Sequence, residues 1–103
     1  MAESIIKNSN YTYESIATTG SGTSVTYSVD ESKYRFLFMT MGAGTAVYAS
    51  GIFPVCMKNA KNNLQLFVFG ASGQYVARGN LNINTKTLTT TDASYPAMLY
   101  GII

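Results

Sequence analysis

Residues 33–55 read KYRFLFMTMGAGTAVYASGIFPV and contain the densest apolar run of the chain. Successive side chains of a β-strand point to opposite faces. Both faces of the first half are therefore apolar: one carries Tyr34, Phe36 and Phe38, and the other carries Leu37, Met39 and Met41. A strand that is apolar on both faces must be covered twice, either between two sheets or between its own sheet and another subunit. The run predicts two central strands separated by a turn at residues 42–45.

Shorter alternating segments surround this run and are separated by turns rich in Gly, Ser and Asn. The clearest alternation is Val25, Tyr27 and Val29 against polar neighbours, and residues 64–69 repeat the pattern. Gly79 interrupts a later strand, where a β-bulge is expected. Seven to nine short strands with no helical period predict an all-β fold, an antiparallel β-sandwich or a barrel. A length of 103 residues is typical of one domain, so residues 1–103 are predicted to form a single unit.

Composition excludes several classes of partner. Only 12% of the residues are charged, and the cations that give the net charge of +2 are scattered singly. Because binding to a phosphate backbone needs clustered cations, nucleic acid is not an expected partner. No window approaches the length of a membrane helix, and no signal peptide is apparent, so we expect synthesis in a cytoplasm and no membrane insertion.

The sequence offers few residues for chemistry. It has no histidine and one cysteine, which excludes a Ser-His-Asp triad and a four-thiolate metal site within one chain. Asp30 and Glu31 are interpreted as a solvated turn, and Cys56 as a small buried hydrophobe. The phenylalanines are all assigned to the core: Phe36, Phe38, Phe53, Phe67 and Phe69. We therefore expect no enzyme activity, no metal and no cofactor.

Two polar stretches form the candidate ligand-binding site. Amide and hydroxyl side chains beside an exposed tyrosine are suited to sugars, and each stretch has such side chains. The first stretch contributes Asn59, Asn62 and Asn63, and the second contributes Ser72, Gln74 and Tyr75. The alternative is that these residues form ordinary polar turns and that Tyr75 packs half-buried.

The two ends of the sequence differ in character. Residues 99–103 read LYGII, which is unusually apolar for an end that would otherwise fray. This stretch predicts either a central strand of the sandwich or a subunit interface that includes Tyr100, Ile102 and Ile103. Residues 4–7 and 11–16 have short β-like patterns, and residues 18–23 are predicted to be a flexible connection. Residues 1–20 are therefore either part of the domain or a flexible or partner-binding N-terminal arm.

Three segments together resemble the C-terminal tip domains of bacteriophage tail and fibre proteins. These are KYRFLF at residues 33–38, SGIFPV at residues 50–55 and LYGII at the end. The family pattern has Ile-Pro-Val where this chain has Phe-Pro-Val. The resemblance spans residues 24–103 and implies a jelly-roll-like β-sandwich that forms a homotrimer at the distal tip of a virion.

The resemblance also implies a function and a set of partners. Such tip domains bind the host cell surface, often its glycans, and contact other tail or fibre proteins. The chain would then be a virion protein that is made in the cytoplasm of the host bacterium and acts through multivalent weak contacts. One alternative is a structural decoration or baseplate subunit that binds no receptor. A second alternative is an OB-like single-strand nucleic-acid binder, which requires exposed aromatic residues in a basic groove.

Overall fold

The computed structural model describes residues 12–103, which form two antiparallel sheets of four strands each. The chain is an all-β sandwich with two short 3-10 turns, Glu31–Lys33 and Val55–Met57. The strands are β1 (Tyr13–Thr18), β2 (Ser24–Thr26), β3 (Phe36–Ala43), β4 (Ala46–Pro54), β5 (Asn63–Phe69), β6 (Tyr75–Asn82), β7 (Thr87–Thr90) and β8 (Ala97–Ile102). The prediction of an antiparallel β-sandwich is confirmed.

In each sheet, strands from the two ends of the described chain pair as neighbours. Sheet 1 has the order β1-β8-β3-β4, and sheet 2 has the order β2-β7-β6-β5. The pairing of β1 with β8 and of β2 with β7 is that of a jelly roll. β4 nevertheless stays beside β3, and β6 beside β7, because tight hairpins connect these pairs. The sandwich is therefore jelly-roll-like.

The hairpin between β3 and β4 confirms the predicted turn at residues 42–45. Gly44 has a φ of +59°, a backbone conformation that residues with a Cβ atom rarely adopt. This turn brings Leu37 opposite Phe53 and Met39 opposite Gly51. The two halves of the apolar run are therefore adjacent strands of one sheet.

The core lies between the inner faces of the two sheets. The six largest side chains that are completely enclosed there are Leu37, Met39, Met41, Leu81, Leu88 and Leu99. The first three come from one face of β3, as the alternation predicts. Full burial of each such side chain stabilises the fold by about 1.5 to 3 kcal/mol.

β8 is an interior strand, so the prediction of a central strand at residues 99–103 is confirmed for residues 99–102. It pairs with β1 on one side and β3 on the other. The ring of Tyr34 lies directly over Gly101, where an added Cβ atom would come within 2.4 Å of the ring carbons. Tyr34 precedes β3 and points to the inner side, so its assignment to the same face as Phe36 was wrong.

Part of the predicted N-terminal arm belongs to a sheet. Residues 13–18 form β1, which pairs with β8 through Tyr13 opposite Ile102 and Thr18 opposite Met98. The flexible connection predicted beyond residue 18 is a turn in which Gly22 N–H donates to the Thr19 carbonyl. Residues 1–11 of the arm lie outside the described residues.

Four side-chain assignments were wrong for one physical reason: Phe36, Phe38, Phe67 and Phe69 point away from the partner sheet. Phe36, Phe67 and Phe69 are 36%, 44% and 63% exposed, and Phe38 is half-buried on the same outer face as Phe36. Alternation identifies which residues share a face, but it does not identify which face is covered. Phe53 was assigned correctly and is buried.

Three further assignments were wrong for local reasons. Cys56 is exposed because it lies in the 3-10 turn after β4, where Val55 is the buried residue. Glu31 is buried at 4% exposure, whereas Asp30 is exposed and caps the turn by accepting from Ser32 N–H. Gly79 pairs regularly with Leu66, and the register shift of this hairpin lies between Val68 and Phe69 instead.

Candidate functional site

The outer face of sheet 1 is mostly apolar, and its outward hydroxyl side chains are Ser15, Thr18, Thr40 and Ser50. β3 contributes Phe36 and Phe38, which alternate with the enclosed residues of the inner face. Register then places their neighbours on the same side, since directly opposed residues of an antiparallel pair share a face. We call this surface the apolar outer face, formed by Tyr13, Phe36, Phe38, Val47, Ile52, Met98, Tyr100 and Ile102.

The side chains of the apolar outer face pack loosely and leave a groove. The rings of Tyr13 and Tyr100 meet edge to face with centroids 5.6 Å apart, and Phe38 lies 6.5 Å from Tyr100. A groove of about 650 Å³ runs between these rings and the hairpin that joins β3 and β4. Tyr13 and Ile52 remain 68% and 60% exposed.

The predicted interface residues lie at one end of this face. Tyr100 and Ile102 are half-buried residues of the apolar outer face, beside Phe38 and Phe36 respectively. Ile103 follows β8, is 45% exposed and donates its backbone N–H to the Thr12 carbonyl. The structure therefore brings the first two together and places the third at the rim.

The outer face of sheet 2 has the opposite character. Two rows of amide and hydroxyl side chains cross its four strands from β5 to β2. One row is Gln65, Asn80, Thr89 and Ser24, and the other is Asn63, Asn82, Thr87 and Thr26. Asn80 Nδ2 donates to Asn63 Oδ1 over 3.2 Å and so links the two rows. We call this surface the polar outer face, and it also includes Phe67, Phe69, Tyr75, Arg78 and Thr91.

An aromatic cluster and one cation complete the polar outer face. Phe67 is opposite Arg78 in the register of β5 with β6, and Phe69 is opposite Tyr75. The rings of Phe67 and Tyr75 meet edge to face at 5.9 Å. Thr91, which follows β7, accepts from the Arg78 backbone N–H through its hydroxyl over 2.9 Å. A half-exposed aromatic pair therefore shares this face with Arg78.

The six predicted ligand-binding residues do not form one site. All six are exposed and they fall into two groups at opposite ends of β5: Asn59, Asn62 and Asn63 lie at its start, and Ser72, Gln74 and Tyr75 follow its end. A strand of this length separates its ends by about 20 Å at 3.3 Å per residue. Asn63 and Tyr75 nevertheless share the polar outer face, where they mark its two ends.

Sequence reasoning missed the residues between these ends. Gln65, Arg78 and Asn80 lie in strands rather than in loops, and only loops were considered as ligand sites. The signal was present in β5, where Gln65 alternates with the buried Leu66 and therefore has to point outward. The Oδ1 atom of Asn80 is buried and has no hydrogen-bond partner within residues 12–103.

The charged residues serve structural pairs at the ends of the sandwich. Glu31 accepts from Tyr27 over 2.8 Å and from the Lys86 ammonium over 3.0 Å. Burial by itself raises the pKa of Glu31, but the hydrogen bonds from Lys86 and Tyr27 outweigh it, so the pKa lies below its ordinary value. Burial and the Glu31 contact raise the pKa of Tyr27.

A second pair fixes the corner where β1 meets β8. Glu14 accepts from the Tyr34 hydroxyl over 2.7 Å and lies 3.0 Å from the Lys33 ammonium. The hydrogen bond from Tyr34, with help from Lys33, lowers the pKa of Glu14. Both partners of the ion pair are about half exposed, so this pair contributes little to stability.

Among the described residues, no cluster of His, Cys, Asp and Glu side chains is arranged to bind a metal ion. Within residues 12–103, no helix has the length and apolar character needed to span a membrane. Comparison of the chain with protein-family models, curated proteins and solved structures finds no match.

Proposed function

We propose that this protein is a non-enzymatic virion subunit that forms a homotrimer through its apolar outer face and acts at a bacteriophage tail or fibre tip. The observation that supports self-association is that sheet 1 is apolar on both faces. Its inner face is covered by sheet 2, whereas its outer face exposes Tyr13, Val47 and Ile52. Contiguous apolar patches of this kind mark interaction sites on soluble proteins.

The flat footprint of the apolar outer face is about half the area that one partner contributes to a standard interface. Four strands spaced 4.8 Å apart and about six residues long have a flat footprint of about 400 Å². The accessible area of the corrugated side chains exceeds this footprint, and a standard interface uses about 800 Å² per partner. Burial at about 25 cal/mol per Å² makes such a contact favourable.

The proposal of a virion tip rests on the resemblance. The fold supports it because the three segments that carry the resemblance lie close together. These segments fall on neighbouring strands, β3, β4 and β8, at one end of sheet 1. Phe36 lies opposite Pro54 on one side and opposite Ile102 on the other. The residues that resemble phage tips are therefore one contiguous patch, and the copy number of three comes from the same resemblance.

The polar outer face of sheet 2 favours host-surface binding over a purely structural role. If the apolar outer face is buried between copies, the polar outer face stays in solvent and is repeated once per subunit. Three weak sites on one axis gain affinity by multivalency. A decoration or baseplate subunit would assemble in the same way and bind no glycan. Two four-stranded sheets differ from the five-stranded OB barrel, so the fold gives the single-strand-binding alternative no support.

Light scattering on the purified chain tests self-association. Three copies of 11.1 kDa give a mass of about 33 kDa, and we expect Ile52→Asp to reduce it to that of one copy. Phe67→Asp is the matched control, because it places the same charge on the polar outer face and should leave the mass unchanged. A wild-type mass of 11.1 kDa at high protein concentration would overturn the proposal.

A further inference from the structure

The polar outer face presents hydrogen-bonding groups in a regular array. Its two rows continue across β5, β6, β7 and β2, so their members recur about every 4.8 Å across the strands. Amides and hydroxyls both donate and accept, which suits a ligand that carries many hydroxyl groups. Gln65 makes no side-chain hydrogen bond to any other described residue, so its amide is available to a ligand.

The aromatic cluster adds a different kind of contact at one end of the array. Phe67 and Tyr75 are about half exposed and support each other edge to face. Their rings offer an apolar surface beside polar groups, and Tyr75 adds a hydroxyl. Such a combination matches a sugar ring, which has an apolar C–H face and polar edges.

Arg78 makes this end of the face positive. It is the one charged residue among the described residues of the polar outer face. The carboxylates of Glu14 and Glu31 are engaged elsewhere by Lys33 and Lys86. Asp30 caps its turn, and Asp92, which follows the Arg78 partner Thr91, accepts from the Ser94 backbone N–H. Within residues 12–103, no carboxylate lies in ion-pair distance of Arg78. A guanidinium group binds a carboxylate through two parallel hydrogen bonds.

We propose that the polar outer face binds an acidic polysaccharide, with sugar rings against Phe67 and Tyr75, a sugar carboxylate on Arg78, and hydroxyl groups on the Gln65 row. This deepens the proposed function, on which it rests, by naming the chemical class of the receptor. A nucleic acid is disfavoured, because one cation releases too few counterions to bind a phosphate backbone tightly.

Affinity electrophoresis of the intact chain tests this inference. The gels contain polygalacturonate or polysialate as acidic probes and dextran as the neutral probe, and a labelled oligothymidylate serves as the nucleic-acid probe in solution. We expect at least one acidic polymer to retard the wild type, dextran to act at least about tenfold more weakly, and the oligonucleotide not to bind. Arg78→Gln should weaken retardation by the acidic polymer at least about tenfold, a loss of about 1.4 kcal/mol.

Arg35→Gln is the matched control. It removes the same charge from an exposed residue outside the polar outer face, and its retardation should stay within twofold of wild type. Tyr75→Ala should weaken retardation as well, because the sugar loses its apolar contact. Equal losses in Arg78→Gln and Arg35→Gln would overturn the inference. It would also be overturned if neither acidic polymer retards the wild type, or if the wild type binds the oligonucleotide more tightly than the acidic polymers.

Light scattering on the same samples separates this inference from the proposed function. Arg78→Gln should lose polysaccharide binding and keep the mass of the wild type. Ile52→Asp should lose assembly and keep the weaker binding of a single copy. Failure of the acidic polymers to retard a wild type that still self-associates overturns the inference alone, whereas a monomeric wild type that binds them overturns the trimer alone.

Discussion

The two outer faces of the sandwich differ although the same strand geometry produces both. On sheet 1 the outward positions hold mainly apolar residues such as Phe38, Ile52 and Tyr100. On sheet 2 they hold rows of amides and hydroxyls that include Gln65 and Asn80, with an exposed aromatic cluster at one end. The inner faces of both sheets are apolar. Sheet 1 therefore needs a cover on both sides, whereas sheet 2 needs a cover on one side and is suited to solvent on the other.

Carboxylates have almost no part in this difference. Glu14 and Glu31 pair with lysines at the ends of the sandwich, and Asp30 and Asp92 accept from backbone N–H groups in turns. The outer faces are distinguished by apolar area and by neutral hydrogen-bonding groups, with one guanidinium on sheet 2. A change of side-chain polarity should therefore alter an outer face more than a change of pH does.

The largest expected change in the free energy of unfolding comes from the inner face of β8, and a variant on its outer face is the comparison. Leu99→Ala on the inner face of β8 should lower the free energy of unfolding by about 3 kcal/mol, because it opens a cavity in the enclosed core. Met98→Ala on the apolar outer face should cost about 1 kcal/mol or less in the isolated subunit, since Met98 is half-buried there. Urea denaturation at low protein concentration measures both. Equal losses would mean that both faces of β8 are packed within one subunit.

An intermediate effect is expected at the buried carboxylate. Glu31→Gln should lower the free energy of unfolding by about 2 kcal/mol, less than for a fully buried ion pair because Lys86 is partly exposed. The folded-state pKa of Glu31 lies below the ordinary value of 4.5. Its contribution is therefore present above that value and is lost as the pH falls through the lowered pKa.

The pH profile provides the control for this prediction. Wild type should lose stability in acid faster than Glu31→Gln does, as measured by urea denaturation between pH 7 and pH 3. Glu14→Gln should change the profile less, since Glu14 and Lys33 are about half exposed. A profile for Glu31→Gln that parallels the wild type would contradict the assigned role of the carboxylate.

The smallest effects are expected for exposed residues on the two outer faces. Ile52→Ser and Phe67→Ser should each change the stability of the isolated subunit by about 0.5 kcal/mol or less, because both side chains are substantially exposed. Thermal unfolding at low protein concentration measures this. At high concentration the two should diverge, with Ile52→Ser losing the stabilisation that assembly provides. No divergence would remove the distinction between the faces.

Part of the candidate site could be read from the sequence. The alternation in β3 identified Leu37 and Met39 as partners on one face, because strand periodicity is a local property. It could not show that Phe67 faces solvent whereas Leu66 faces the core. That distinction depends on which side the second sheet covers, and this is decided by pairings between distant strands.

Local sequence does not show which strands become neighbours, and this also explains why the predicted ligand-binding residues fall into two separate groups. Asn63 and Tyr75 were chosen for their composition in loops, and they share one outer face because β5 and β6 form a hairpin. Gln65 and Thr89 come into one row through the register of three consecutive strands, β5, β6 and β7. Composition could identify suitable side chains, but it could not assemble them into a surface.

The sequence by itself determined the all-β class, the turn at Gly44 and the two apolar faces of β3, because these follow from residue preferences and from a period of two. The tertiary structure alone decided the strand order, the burial of Glu31 and the contrast between the two outer faces. These depend on long-range pairing, such as β1 with β8. Local sequence cannot encode such pairing, because every strand edge offers the same backbone hydrogen bonds.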